Sequence, residues 1–256
     1  MPAARLATLI AALVRAHAAN TPPPRGLPYL GLEHPSGTGL HLLDALAARG
    51  IFRKYEYVLD IGAGLGATSR WLAARLGCEV VGTAATEEEA AAATELTRRV
   101  GLALQVHAIP ARGDALPFRD GKFTHVWIIE ALPRVADPDA VLREAHRALR
   151  PGGTLAVQDL VAGEGPPPVL PTGWRLASLA ERTEALSRLG YVDVVVRDRS
   201  ADAPERAAQV VAARERFVTR CRAEPALAGV VAEREAIAPA VGSGALRVVQ
   251  LLARRA

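Results

Sequence analysis

Aromatic residues are scarce in this 256-residue chain, at 4% of the sequence. An aromatic cage for a quaternary ammonium is therefore a poor expectation. Half of the residues are hydrophobic, so packing falls mainly to Ala, Val and Leu. Lysine is scarcer still, present at Lys54 and Lys122 alone, and the net charge of +4 rests on arginines scattered among acids. There is no basic run interleaved with aromatics, which argues against nucleic acid as a partner. Cys78 and Cys221 lack the spacing of a zinc site or a disulfide framework. No metal is expected, and a reducing, cytoplasmic setting fits. No apolar run reaches the length of a membrane span, so no membrane partner is expected either.

The amino terminus repeats apolar residues on one helical face: Leu6, Leu9, Ile10, Leu13 and Val14, with His17 following. A secretory leader is the competing reading, but Arg15 and His17 stand where its cleavage region is small and neutral. An amphipathic helix is expected. The run Thr21-Pro22-Pro23-Pro24 then breaks the chain. A polar loop from His34 to Gly39 has the makings of a lid, and a helix is predicted over 40–49. Residues 1–50 are thus expected to form a helical cap on a main domain of residues 51–256.

From Tyr57 the pattern alternates. Strands are predicted at 57–61, 78–83, 104–108, 124–129, 153–159, 191–197 and 246–252. Helices are predicted at 67–76, 86–99, 138–149, 175–189 and over a long stretch at 204–238. Strands alternating with helices give an α/β fold, a doubly wound, mostly parallel sheet of seven strands covered on both faces.

The chemistry gathers at Tyr57–Ala67, YVLDIGAGLGA. A buried strand, a glycine turn and a helix start bring backbone N–H groups to one point, which suits the polar part of a nucleotide-like ligand. Two ligands compete there. As GxGxxA, Gly62, Gly64 and Ala67 fit a dinucleotide. As DxGxGxG, Asp60, Gly62, Gly64 and Gly66 fit S-adenosylmethionine. Either ligand wants an acid at the end of the second strand for the ribose, yet Ala84 occupies that position in CEVVGTAATEEE. Thr83 and Glu87 are the nearby polar substitutes.

Downstream pieces separate the two. Gly113-Asp114-Ala115-Leu116-Pro117-Phe118 follows the third strand, Ile129-Glu130-Ala131-Leu132 follows the fourth, and Leu149-Arg150-Pro151-Gly152-Gly153 introduces the fifth. In this order they closely resemble the class I S-adenosylmethionine-dependent methyltransferases, in the small-molecule, type 11-like branch. The resemblance covers roughly residues 30–256.

That resemblance implies S-adenosylmethionine as cofactor, S-adenosylhomocysteine as product, and a small-molecule nucleophile at N, O or C. It implies cofactor contacts from Asp60, Gly62, Ala63, Gly64 and Gly66. Thr83 and Ala84 would lie at the ribose, Asp114 and Ala115 at the adenine, and Glu130 at the methionine end or the substrate. An antiparallel last strand beside the fifth is implied as well. The chain departs from the family pattern at Ala84, at His125 where Asp is usual, and at Arg134 where His is common. A relative that binds a metabolite or partner without methylating is therefore the alternative. An NAD(P)-dependent oxidoreductase is a second, disfavoured because no Tyr-Lys pair appears.

Methyl transfer needs alignment more than a base, and a base only where the nucleophile carries a proton. His34 and Glu130 are the candidates. His34, Arg134 and Trp174 are the candidate substrate contacts, while His41 and His125 read as ordinary helix and core residues.

Overall fold

The computed structural model describes residues 6–9, 41–48, 56–164, 168–170, 173–202 and 208–256. Seven strands form one sheet: β1 (Tyr57–Ile61), β2 (Glu79–Ala84), β3 (Val106–Pro110), β4 (Phe123–Ile129), β5 (Leu149–Ala162), β6 (Tyr191–Asp198) and β7 (Leu246–Arg255). Their order is β3-β2-β1-β4-β5-β7-β6. The first five are parallel, and β7 lies antiparallel between β5 and β6. Chain order reverses between β1 and β4, where Asp60 pairs with Gly82 on one side and Trp127 on the other. A doubly wound sheet opens its crevice at the carboxyl ends of such strands.

β1 and β4 are covered on both faces, which is why they read as continuous apolar runs. Leu59, Ile61, Val126 and Ile128 pack in one apolar cluster, and Val58, Trp127 and Ile129 in another. Helices α1 (His41–Ala47), α2 (Ala67–Leu76) and α3 (Glu87–Arg99) precede β3, α4 (Pro138–Ala148) precedes β5, and α5 (Leu179–Arg188) precedes β6. The starts of three of them were written in the sequence. Thr86 accepts from the Glu89 N–H ahead of α3, and Asp137 from the Ala140 N–H ahead of α4. Ser178 and Glu181 close a reciprocal capping box at α5. α3 carries Glu87, Glu88 and Glu89 in its first turn and Arg98 and Arg99 in its last, matching its dipole at both ends.

α1 packs through Leu43, Leu46 and Ala47 into the same cluster as Val58 and Trp71. Residues 6–9 are helical. Leu6 and Leu9 pack beside Ala7, Leu65, Leu96 and Phe217. Beyond residue 9, the expected amphipathic helix and the His34–Gly39 loop lie outside the described residues.

Several element ends shift by two to four residues, as at β3 and the start of α5, and two elements differ in kind from expectation. The stretch at 204–238 is two helices, α6 (Ala208–Arg222) and α7 (Ala228–Gly242), separated by a single 3-10 turn at Pro225–Leu227. Proline has no N–H to continue α6 and sits well at the start of a new turn. β5 begins at Leu149, so Arg150–Gly153 form an irregular first segment of the strand, with a register shift opposite Phe123–His125. No helix among the described residues is long and apolar enough to cross a membrane.

Candidate functional site

β1 ends at Ile61, and the chain then turns through Gly62 and Gly64 at φ +72° and +55°. These angles lie in the left-handed region that side chains disfavour. Space is short as well. A Cβ on Gly62 would stand 2.6 Å from the Ala131 Cβ, and one on Gly64 3.3 Å from the Glu89 Oε1. Two of the turn's N–H groups already have partners: Gly62 donates to the Thr83 hydroxyl at 2.9 Å and Gly66 to the Ala63 carbonyl at 2.8 Å. Buried Arg70 reaches back from α2 to donate to the Leu65 carbonyl. The turn is therefore braced from β2 and α2.

Asp60 sits at the end of β1, 1% exposed. Its Oδ2 accepts from the Ser69 hydroxyl at 2.7 Å. Burial pushes its carboxyl up to about 7, against the opposing pull of Ser69 and the Arg70 charge.

A cavity of about 430 Å³ opens over this turn, of the size that small-ligand sites take. Its floor includes Asp60, Gly62, Ala63 and Gly64. Ala85 and Glu89 stand on the β2 side, and Ala131 and Arg134 follow β4. Phe217 from α6 and Val230 and Glu233 from α7 line it too. Arg134 Nη1 lies 3.6 Å from Glu233 Oε1.

The other expected residues fall variously. Gly66 shapes the turn but is absent from the lining, where Leu65 and Ala67 flank it. Thr83 and Ala84 are 1% exposed, and the chain meets the cavity one residue later, at Ala85. Glu130 is wholly buried behind the wall formed by Ile129 and Ala131. It adopts φ +54°, and its Oε1 accepts from Gln158 Nε2 at 2.9 Å, while Gln158 Oε1 accepts from Gln250 Nε2. The left-handed backbone directs this carboxylate along the sheet toward β5 and β7 instead of into the crevice.

Asp114 also lies off the cavity wall, and Arg112 donates to both of its oxygens, at 2.9 and 2.6 Å. The Ala115 N–H donates to the Arg112 carbonyl within the same turn. Trp174 packs with Leu170 and Leu176 against Leu160, Ile237 and Val248, away from the cavity. His125 is buried in the sheet, 3.7 Å from Glu56. It pairs with Val58, well before the crevice end of β4. His34 lies outside the described residues.

Sequence reasoning passed over Glu89, Ser69, Arg70, Phe217 and Glu233. Glu89 alone carried a local signal: Thr86-Glu87-Glu88-Glu89 is a capping-box pattern, which marks the third acid as turned back toward the loop. The others depend on tertiary contacts.

Residues 59–157 match the family model described as a methyltransferase domain. Among curated proteins the chain is similar to Methyltransferase GfsG of Streptomyces halstedii, 38% identical over 104 residues. It is also similar to sarcosine/dimethylglycine N-methyltransferase of Halorhodospira halochloris, 35% identical over 104 residues. Each match takes in 41% of this chain and 37% of the relative's length. Among solved structures, the [4+2]-cyclase SpnF superposes with a TM-score of 0.70 at 24% identity, over 84% of this chain and 79% of that one. Phosphoethanolamine N-methyltransferase 2 of Haemonchus contortus, in complex with S-adenosyl-L-methionine, also gives 0.70, at 19% identity over 94% and 60%. Identities this low speak for the fold alone. The glycine turn thus lies within a stretch, residues 59–157, that matches a methyltransferase domain, with the switch-point cavity over it and the antiparallel β7 beyond it.

Proposed function

We propose that this chain transfers the methyl group of S-adenosylmethionine to a nitrogen, oxygen or carbon of a small molecule. The observation that carries this reading is the cavity built on Asp60, Gly62 and Gly64 at the switch point of the sheet. The residues suit the cofactor. Two glycines leave open the space a Cβ would fill, and a buried carboxylate beside them complements a cationic amino-acid end. When bound, that cofactor supplies a methyl carbon activated by its sulfonium.

The chain's own residues position and shield. Asp60, fixed by Ser69, holds the ammonium. Phe217 and Val230 limit water, which strengthens every charge interaction inside. Arg134, paired with Glu233 at the wall, offers a guanidinium to an acidic group of the acceptor. Asp114 receives the adenine amine, because its pair with the exposed Arg112 is worth little and yields an oxygen easily. Glu130 braces the wall through Gln158. His34 is kept as the candidate base or acceptor contact. Leu6 and Leu9, and α1 through Leu43 and Leu46, pack onto the domain at 51–256, which supports a cap role for this part of the chain. The buried cysteines Cys78 and Cys221 accord with a reducing cytoplasm.

Calorimetric titration with S-adenosylhomocysteine tests the reading. Micromolar binding supports it, whereas absence of binding, or binding of NAD in its place, overturns it. Ala84 favours one second reading, a relative that holds the nucleoside without transferring methyl. A fold does not fix a reaction, and the [4+2]-cyclase that shares this one is named for a different reaction. Mass spectrometry of acceptor panels separates the two: a gain of one methylene unit on any acceptor sinks the second reading.

A further inference from the structure

We infer that Glu89 is the carboxylate that receives the vicinal diol of the bound nucleoside, in place of the acid absent from Ala84. The inference rests on the cavity being the S-adenosylmethionine site. A nucleoside laid along a glycine turn brings its ribose hydroxyls to the end of the neighbouring strand, where a carboxylate can accept both O–H groups. Here that strand ends in a methyl group, and Ala84 is 1% exposed. The preceding hydroxyl does not replace the acid, because Thr83 Oγ1 accepts the Gly62 N–H at 2.9 Å. Glu87 and Glu88 open α3 but do not line the cavity, and Glu89 does.

The Glu89 Oε1 is 3.3 Å from where a Cβ on Gly64 would be, so the carboxylate lies directly beside the glycine turn, where both line the cavity. The residue is tethered through its side chain and its backbone. Its Oε2 accepts the Ala85 N–H at 2.9 Å, while its own N–H donates to Thr86 Oγ1 at 3.1 Å. A carboxylate has about four acceptor positions, so one bond to Ala85 leaves room for a diol. An ordinary capping box would take the N–H of Thr86 itself. Glu89 instead reaches one residue further back, to Ala85 on the cavity wall. A ligand would meet a carboxylate already held in place, with little rotamer freedom left to lose.

The test is calorimetry with S-adenosylhomocysteine and its 2′-deoxy analogue on the wild type and Glu89→Gln. The amide keeps an oxygen for the Ala85 N–H, so the start of α3 survives, as far-ultraviolet circular dichroism should verify. The wild type should prefer the 2′-hydroxyl ligand about tenfold or more, the worth of a hydrogen bond to a charged group. Glu89→Gln should bind S-adenosylhomocysteine about tenfold more weakly and show little preference between the two. Unchanged affinity in Glu89→Gln overturns the inference, as does an equal loss for both ligands, the result of a purely capping role. A wild type that binds both ligands equally overturns it without any variant. A wild type that binds neither removes the cofactor reading itself, a distinct failure.

Discussion

Asp60 shows how one residue can link ligand affinity to pH. Burial holds its carboxyl near 7 in the free protein. A cation placed beside it favours the ionised form and draws the pKa back down. Binding S-adenosylhomocysteine near neutrality should therefore release a proton, and affinity should rise several-fold from pH 6 to pH 8. Titrations in buffers of different ionisation enthalpy would show the proton directly, and a flat affinity with no buffer dependence would remove Asp60 from the ammonium site. At Asp114, replacement by Ala should weaken S-adenosylhomocysteine by about 1–3 kcal/mol, the usual cost of an orphaned hydrogen-bond partner. Wild-type affinity in the folded variant would discard the adenine assignment. The role of the glycines was legible because a backbone requirement is written in residue type. Gly62→Ala combines a left-handed backbone with a 2.6 Å approach to Ala131, so a loss of roughly 2–4 kcal/mol in a urea melt is expected. Glu130 is a related case. Its place at the end of a parallel strand was readable, but the φ of +54° that turns it toward Gln158 was not.

At the scale of elements, the α6–α7 pair is the part of the site that local patterns described least well. Apolar periodicity predicted helix but could not say what that helix would cover, because the covered surface comes from Leu65, Ala92 and Leu96, more than a hundred residues earlier. The central strands had no such ambiguity, since continuous apolar runs have few other places to go. Phe217 is fully buried, sharing its cluster with Leu65 of the glycine turn and with α3, and it also lines the cavity. Phe217→Ala should cost about 3–5 kcal/mol in chemical denaturation. Ligand affinity should fall with it, because the lost ring supports the turn. A variant that loses stability but keeps full affinity for S-adenosylhomocysteine would show that α6 covers the cavity without shaping it.

At the scale of the whole molecule, Asp159 joins Asp60 as a buried carboxylate with a raised pKa, and both shape the response to pH. Asp159 on β5 pairs with Arg182 of α5 at 2.8 Å, both nearly inaccessible to water. Burial nonetheless raises its pKa to about 6, the Arg182 charge and hydrogen bond pulling the other way. A carboxyl whose folded pKa is raised keeps its proton after the unfolded chain has released its own, so stability falls as pH rises across that interval. For Asp159 the interval runs from the ordinary 3.8 to about 6, and for Asp60 from 3.8 to about 7. Above both, the full cost is present. Glu144, Glu181 and Asp198 act in the opposite sense, their pKa values being lowered. Their stabilisation is in place above the unfolded values and fades only in acid. Between these two sets the ligand-free protein should melt at its highest temperature near pH 5, and lower at pH 8. Asp60→Asn removes the larger of the two intervals, so the decline from pH 5 to pH 8 should become markedly shallower in calorimetric scans of that variant. A melting temperature that rises steadily to pH 8 in both proteins would mean that neither carboxylate is charged at the expense of the fold. Saturating ligand should flatten the wild-type curve in the same way, since a bound cation lets Asp60 ionise without that cost.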